Sequence, residues 1–284
     1  MNHQSCAHTE YIEIPDHFRP RQYASIWRIP PVRWQEELAA AIEKNPANHR
    51  PTVFFRADDI GAGGRAFEAM CRLFRHHQAP LAMAVVPAWL SNIRRKQLFE
   101  VAPLEEPLWG WHQHGWRHVN WQRTGKNSEF GEQRPLEKQW KDIHQGQLKM
   151  QEIFGKRFTR VFTPPWNRLS TATLKIVQDL DFVGVSAIKP FPRGIKPPLV
   201  LKNLRINLDL HTRSAKDGIA DFQSLLEDLG TSLVKKELIG IMVHHHRMNR
   251  FAFDFLDELL RLLKSLAEAQ FLSFQEILEN RYGD

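Results

Sequence analysis

The sequence predicts a closed α/β barrel, a single domain preceded by an N-terminal arm, and three observations support that reading. From residue 51 onward, short apolar β-type runs alternate with amphipathic helical stretches. Seven such units fill the chain, which suits parallel strands joined by right-handed crossovers. Polar residues fit for chemistry fall just after the strands, at the end where such barrels carry their sites. An open doubly wound sheet is the alternative. Its signature is a glycine-rich phosphate turn after the first strand. Here that turn reads Asp58-Asp59-Ile60-Gly61-Ala62-Gly63-Gly64. Two carboxylates ahead of the glycines would repel phosphate, so a dinucleotide site is discounted.

The elements follow in order. Residues 1–48 are rich in Pro, Trp and Arg, with a helical stretch at 34–44, and form an arm packed on a barrel of residues 49–284. Strands are predicted at 52–56, 81–86, 108–111, 160–163, 182–186, 204–208 and 238–243. Helices are predicted at 64–77, 91–101, 136–154, 170–180, 217–229 and 252–267. In the last of these, Phe255, Leu256, Leu259, Leu260, Leu263 and Leu266 recur at helical spacing. The run 271–274 is either an eighth strand or a tail.

Composition narrows the function classes. Of 284 residues, 42% are hydrophobic and 11% aromatic, enough for a large core and against a disordered chain. Two cysteines, Cys6 and Cys71, exclude a disulfide-stapled miniprotein. The longest near-apolar run, 79–90, is broken by Pro87 and too short to span a bilayer. The N-terminus reads as no signal peptide, so a cytoplasmic location is expected. The net charge of +7 is spread along the chain, densest over 189–216, without an RNA-binding or helix-turn-helix pattern. A solvated basic loop accounts for it, and no nucleic-acid partner is expected.

Histidine carries the functional signal. Six of the 14 histidines fall in two short segments, His112, His114 and His118, then His244, His245 and His246. The predicted strands deliver these, together with Asp58-Asp59, Pro164-Pro165-Trp166-Asn167, Asp209 and His211, to one rim. Two imidazoles and a carboxylate suit Zn²⁺ or a similar divalent ion with positions left open for water and substrate. His114 and His118 are four apart, and Gly115 between them lets the chain bend tightly. Of two adjacent aspartates, one can bind the metal while the other faces the attacking water. His112 is expected to face differently from His114 and to be structural. Trp109, Trp111 and Trp116 are expected to pack rather than bind.

These residues, in this order, resemble the polysaccharide deacetylase family, the NodB-homology carbohydrate esterases. Arg56-Ala57-Asp58-Asp59-Ile60-Gly61 is similar to its T-F-D-D-G motif, and His114-Gly115-Trp116-Arg117-His118 to its H-S/T-x-x-H motif. Thr163-Pro164-Pro165-Trp166-Asn167 stands where the family has R-x-P-Y/W, and Ile241-Met242-Val243-His244 where it has L-x-H. The resemblance covers roughly residues 51–250 and implies a distorted (β/α)7, TIM-like barrel. It implies Asp58 as general base, Asp59, His114 and His118 as metal ligands, and His244 or His245 as general acid. It places Pro165, Trp166 and Asn167 along the substrate groove. The implied cofactor is one divalent ion, Zn²⁺ first, with Co²⁺, Ni²⁺, Fe²⁺ and Mn²⁺ as alternatives. The implied reaction removes acetyl from an N-acetylated sugar or related amide. This chain departs from the family at the third motif, which lacks the arginine that in the family orients the base carboxylate; Arg56 and Arg168 are the candidates to replace it. Asp209 is the candidate to support the catalytic histidine. The missing arginine also keeps open a non-catalytic carbohydrate-binding protein that retains barrel and metal.

Overall fold

Alternation along the first strand sets the barrel. Val53, Phe55 and Ala57 turn outward to the helices, while Phe54, Arg56 and Asp58 turn inward. The computed structural model describes residues 20, 23–44, 50–192, 199–213 and 217–279. Its strands are β1 (Thr52–Ile60), β2 (Leu81–Val85), β3 (Trp109–His114), β4 (Phe158–Thr163), β5 (Gly184–Val185), β6 (Lys202–Asn203), β7 (Ile206–Asp209), β8 (Leu238–Val243) and β9 (Gln270–Phe271). Its helices are α1 (Trp34–Glu43), α2 (Arg65–His76), α3 (Asn92–Val101), α4 (Leu136–Phe154), α5 (Thr171–Asp179), α6 (Gly218–Lys235), α7 (Arg250–Ser265) and α8 (Phe274–Glu279).

All strand pairs are parallel, in the order β6-β5-β4-β3-β2-β1-β8-β7, with β9 added to β1. The ring closes through the segment that holds β6 and β7. Leu204 N and Ile206 N donate to Val185 O and Ala187 O, at 2.9 and 3.0 Å. From Ile206 to Asp209 the same segment registers with β8. One stretch of chain thus serves two neighbours in turn, giving seven strand positions and a distorted (β/α)7 barrel. This explains why the strand expected at 204–208 is split: its centre changes partners.

Side chains fill the interior. Phe54, Ala82, Val161, Leu204, Ile206 and Met242 form its lower part, and Phe274 and Ile277 of α8 plug the bottom. Gly240 in β8 leaves the space for Phe54; a Cβ there would run into the Phe54 ring and the Arg205 carbonyl. Helices α2 to α7 cover the outside with apolar faces, as in α7, where Phe255, Leu256, Leu259, Leu260 and Leu263 are buried.

Four element expectations are corrected. β1 continues past residue 56 through both aspartates, and β3 past 111 through His114, because those polar side chains point into a packed interior where the ladder stays protected. The run 271–274 is divided: Phe271 ends the two-residue strand β9 on β1, and the chain then turns into α8 at Phe274. α6 runs on to Lys235, with Leu229 and Leu233 both buried.

The described part of the N-terminal segment packs on the barrel's flank. Ser25–Trp27 and α1 lie against α6 and α7. Trp27 is fully buried between Phe251 and Phe255, and its Nε1 donates to Leu210 O (2.8 Å) and toward His211 Nδ1 (3.1 Å). Asn249 Nδ2 donates to Trp27 O while its Oδ1 caps α7 at Ala252 N. Trp27→Ala is therefore expected to cost about 3–5 kcal/mol. Urea denaturation reads this directly, and a loss below about 1 kcal/mol would mean that the segment merely rests on the barrel.

Candidate metal and catalytic site

Adjacent strand residues ordinarily face opposite sides of a sheet, yet Asp58 and Asp59 both reach the mouth of the barrel. The backbone accounts for it. β1 slips register against β2 between Ala57 and Ile60, and Asp59 adopts a left-handed conformation with φ 62°. The bulge re-aims one side chain without moving the other.

Asp59 meets the two histidines of β3 and the turn after it. Its Oδ1 lies 3.3 Å from His114 Nε2 and 3.1 Å from His118 Nε2. The His114 ring is fixed from behind, with Nδ1 3.0 Å from Thr163 O, which leaves Nε2 for the centre. The turn between the histidines is built around Glu129, a residue the motif reading missed. Its buried carboxylate accepts from the backbone N–H groups of Trp116 (3.2 Å), Arg117 (2.8 Å) and His118 (3.1 Å). Gly115, at φ 55°, has no room for a Cβ between Glu129 and Pro165, which explains why glycine stands at the family's Ser/Thr position. His118 itself sits at φ 59°.

The donor set fits a divalent cation. Asp59 Oδ1 is buried and has no hydrogen-bond partner, and one donor atom each of Asp59, His114 and His118 falls within 4.8 Å of the others. Burial lowers His118 to about 4, so its imidazole is neutral and able to ligate near neutral pH. Burial opposes the charge on Asp59, but His114 and the neighbouring imidazoles hold its carboxyl well below the usual range. Burial also works against a charged His114, yet Asp59 and Asp58 raise it above the ordinary imidazole value.

Asp58 is held quite differently. Arg56, fully buried inside the barrel, grips it with a two-pronged ion pair: Nε to Oδ1 at 2.7 Å and Nη2 to Oδ2 at 2.9 Å. The same guanidinium donates to Ser186 O and Oγ at 2.8 Å and to Asn167 Oδ1 at 2.7 Å. Arg56 therefore makes the contact expected of the missing third-motif arginine, from β1 instead of β4. Arg168 points elsewhere, donating to Asn127 O. Asn167 is committed to Arg56 rather than pointing into open space, and Pro165 packs on Gly115. Trp166, half-buried, sets its ring 4.3 Å from that of His118.

The three consecutive histidines take three directions. His244 Nε2 stands 4.0 Å from Asp58 Oδ2, and burial holds its pKa well below the ordinary value. His245 turns to Phe67 of α2, with ring centroids 5.5 Å apart. His246, to which the sequence reading assigns no role, is 42% exposed and brings Nε2 to 3.6 Å from Asp59 Oδ2. The strand ends at Val243 and the tight turn 245–247 breaks the alternation.

Two further expectations are corrected. His112 does not face away from His114, because residues two apart share a face. It lies deeper in the barrel, 3.0 Å from Thr163 Oγ1 and against Phe274. Asp209 does not reach His244; it caps its own turn through His211 N, Thr212 N and the Thr212 hydroxyl. Beyond the end of that strand, the His211 ring stands 6.4 Å from that of His244. Trp109, Trp111 and Trp116 are buried packing residues, as expected.

The centre opens on a cleft of about 520 Å³ that includes Asp59, Trp89, His245 and His246. A larger cavity of about 900 Å³ lies at the far end of the barrel, beside Phe158, Leu201 and Leu278. None of the candidate site residues lines it.

Residues 45–185 match the family model described as polysaccharide deacetylase. No curated protein sequence matches the chain. Among solved structures, one described as a polysaccharide deacetylase from Mycobacterium smegmatis shares 13% identity, over 83% of this chain and 93% of that one, with a TM-score of 0.53. A family 4 acetyl xylan esterase from Clostridium thermocellum, in complex with a cobalt ion, shares 13% identity over 81% and 91%, with a TM-score of 0.50. At such identity the likeness is one of fold.

Glu129→Gln tests the turn. Losing an acceptor oxygen behind His118 is expected to weaken metal binding by about 10- to 100-fold, read by competition with a chromophoric chelator. Metal affinity should also fall as pH drops through the raised His114 titration, because a proton then occupies the nitrogen a cation needs. Affinity independent of pH across that range would remove His114 from the ligand set.

Proposed function

This chain belongs to the polysaccharide deacetylase family, and we propose that it is a metal-dependent hydrolase that removes the acetyl group from an N-acetylated sugar or a related amide. The observation that carries the proposal is a pair of adjacent carboxylates held in two different ways. Asp59 faces His114 and His118, and Asp58 is fixed by Arg56 opposite His244. Such a division suits one carboxylate for holding a cation and one for moving a proton.

Asp59, His114 and His118 would hold the divalent ion, with Zn²⁺ the first choice for an N/O donor set of this kind. When bound, the ion polarises an acyl oxygen and makes water a nucleophile near neutral pH. Asp58 takes the proton from the attacking water. Arg56 keeps both Asp58 oxygens in a fixed plane, so the base does not rotate away between turnovers. The developing oxyanion would be met by the ion and by the backbone N–H of Trp166, since those of Asn167 and Arg168 already donate to Pro164 O and Pro165 O. His244 gives a proton to the departing nitrogen, so that the C–N bond breaks to acetate and a free amine. Burial keeps its imidazole neutral at rest, and a proton gained from the Asp58 side is easily passed on. The absent third-motif arginine was the motive for a purely binding protein; Arg56 supplies that contact and favours the hydrolase.

Asp59→Ala or His114→Ala is expected to lose bound metal, while Asp58→Asn keeps the metal and loses acetate release from acetylated sugars. Metal retained after both ligand substitutions would show the centre to be elsewhere. Arg56→Lys preserves charge but not the fork, and about 100-fold lower turnover with metal still bound is expected. Wild-type turnover in Arg56→Lys would remove the fork from the mechanism.

A further inference from the structure

The cleft beside the metal centre has a basic wall that the proposed reaction does not use. Arg94, in the first turn of α3, lines it. Its Nη1 donates to Trp89 O at 3.1 Å, and among the described residues it has no carboxylate partner. His245 lines the same cleft. That side chain is more than nine-tenths buried, and its Nδ1 lies in the wall without a partner. The less costly tautomer leaves only a lone pair on that buried Nδ1, so the ring proton sits on Nε2 and His245 is a neutral donor. Between them run Gly61, Ala62 and Gly63, whose N–H groups donate to no acceptor among the described residues. Every one of these groups is a donor.

The two aspartates that argue against phosphate in the sequence do not cancel this wall. Asp58 lies outside the cleft lining, and Arg56 meets its charge. Asp59 faces His114 and His118, the side on which a cation would add further positive charge. A neutral hydroxyl-bearing sugar would leave Arg94 without a counter-charge and give the donors mixed partners. An oxyanion, carboxylate or phosphate, accepts from all of them.

We propose that Arg94, His245 and the Gly61–Gly63 N–H groups form a recognition site for an anionic substituent, so that the substrate is an acidic or phosphorylated N-acetylated sugar. The proposal rests on the hydrolase reading for the word substrate, but not for the binding. Arg94 acts as a specificity-determining residue, and His245 belongs to this wall rather than to proton transfer.

The test separates the two. Metal-free protein is titrated with N-acetylmuramic acid, an N-acetylglucosamine phosphate and neutral N-acetylglucosamine, with Trp89 as the fluorescent reporter and calorimetry as a check. At least one charged sugar is expected to bind tenfold or more tightly than the neutral one, with the preference shrinking as salt rises. Arg94→Gln should bring the preference below threefold, Arg94→Lys should restore part of it, and His245→Phe should weaken the charged ligand alone. Equal binding of charged and neutral sugars, no binding of either, or a preference that survives Arg94→Gln would each overturn the proposal. Acetate release from the same sugars by metal-loaded protein reports on the hydrolase reading. Charged preference without acetate release keeps this site and removes that reading; release at equal kcat/KM from charged and neutral sugars does the reverse.

Discussion

A guanidinium wholly buried in the barrel organises this molecule. Arg56 lies wholly inside the barrel, where an unpaired charge would be prohibitive. It is tolerated because every side of the fork is met: Asp58 on its own strand, Ser186 after β5, Asn167 after β4 and Met242 on β8. Those partners come from four separate strand ends. Correct closure of the barrel and correct placement of Asp58 are therefore one condition. Removing one partner of a buried pair typically costs about 3–5 kcal/mol, because the other charge is left bare. A carboxylate held this way inherits the rigidity of the sheet.

The site also stores backbone strain, concentrated where chemistry is proposed. Asp59, His118, Trp166 and Asn167 all take positive φ without being glycine. Each such residue costs on the order of 1 kcal/mol or more and persists only when its surroundings over-determine it. The surroundings do so here. Glu129 collects three N–H groups under His118, Arg56 holds the Asn167 side chain, and the β1 bulge is pinned by Val86 N donating to Ile60 O. Three turns from three strands are thus forced into unusual shapes so that five polar side chains converge.

Much of this was legible in the sequence, for identifiable reasons. Strand and helix periodicities are strong in long segments such as 136–154, where expected and observed bounds coincide. Motif order led to Asp59, His114 and His118, which the fold does bring together. What stayed hidden depends on contacts between distant residues. Glu129 follows the His motif in a loop with no periodicity of its own, and only the turn's free N–H groups reveal its task. The role of Arg56 was a bare possibility until its side chain was placed inside the ring. The error on His112 was one of period rather than information, since residues two apart on a strand share a face. The split of the sixth strand left no trace in the sequence because both halves read as the same apolar run.

The three consecutive histidines show how the end of a strand divides labour. Within β8 alternation would give only two directions. Ending the strand at Val243 adds a third, so that one imidazole faces Asp58, one joins the cleft wall and one is left half-exposed beside Asp59. The N-terminal segment bears on this arrangement from outside. Trp27 holds His211 in place, and the His211 ring stands edge-on to that of His244. The histidine nearest the proposed base is therefore backed by a second buried imidazole, itself lowered by burial to about 3, and by a tryptophan from the arm. A neutral, immobile wall behind His244 leaves Asp58 as the nearest ionic partner its proton can have. In the proposed reaction this would restrict proton traffic to the side of the ring that faces the carboxylates, with the described N-terminal residues acting through His211 rather than through the cleft lining.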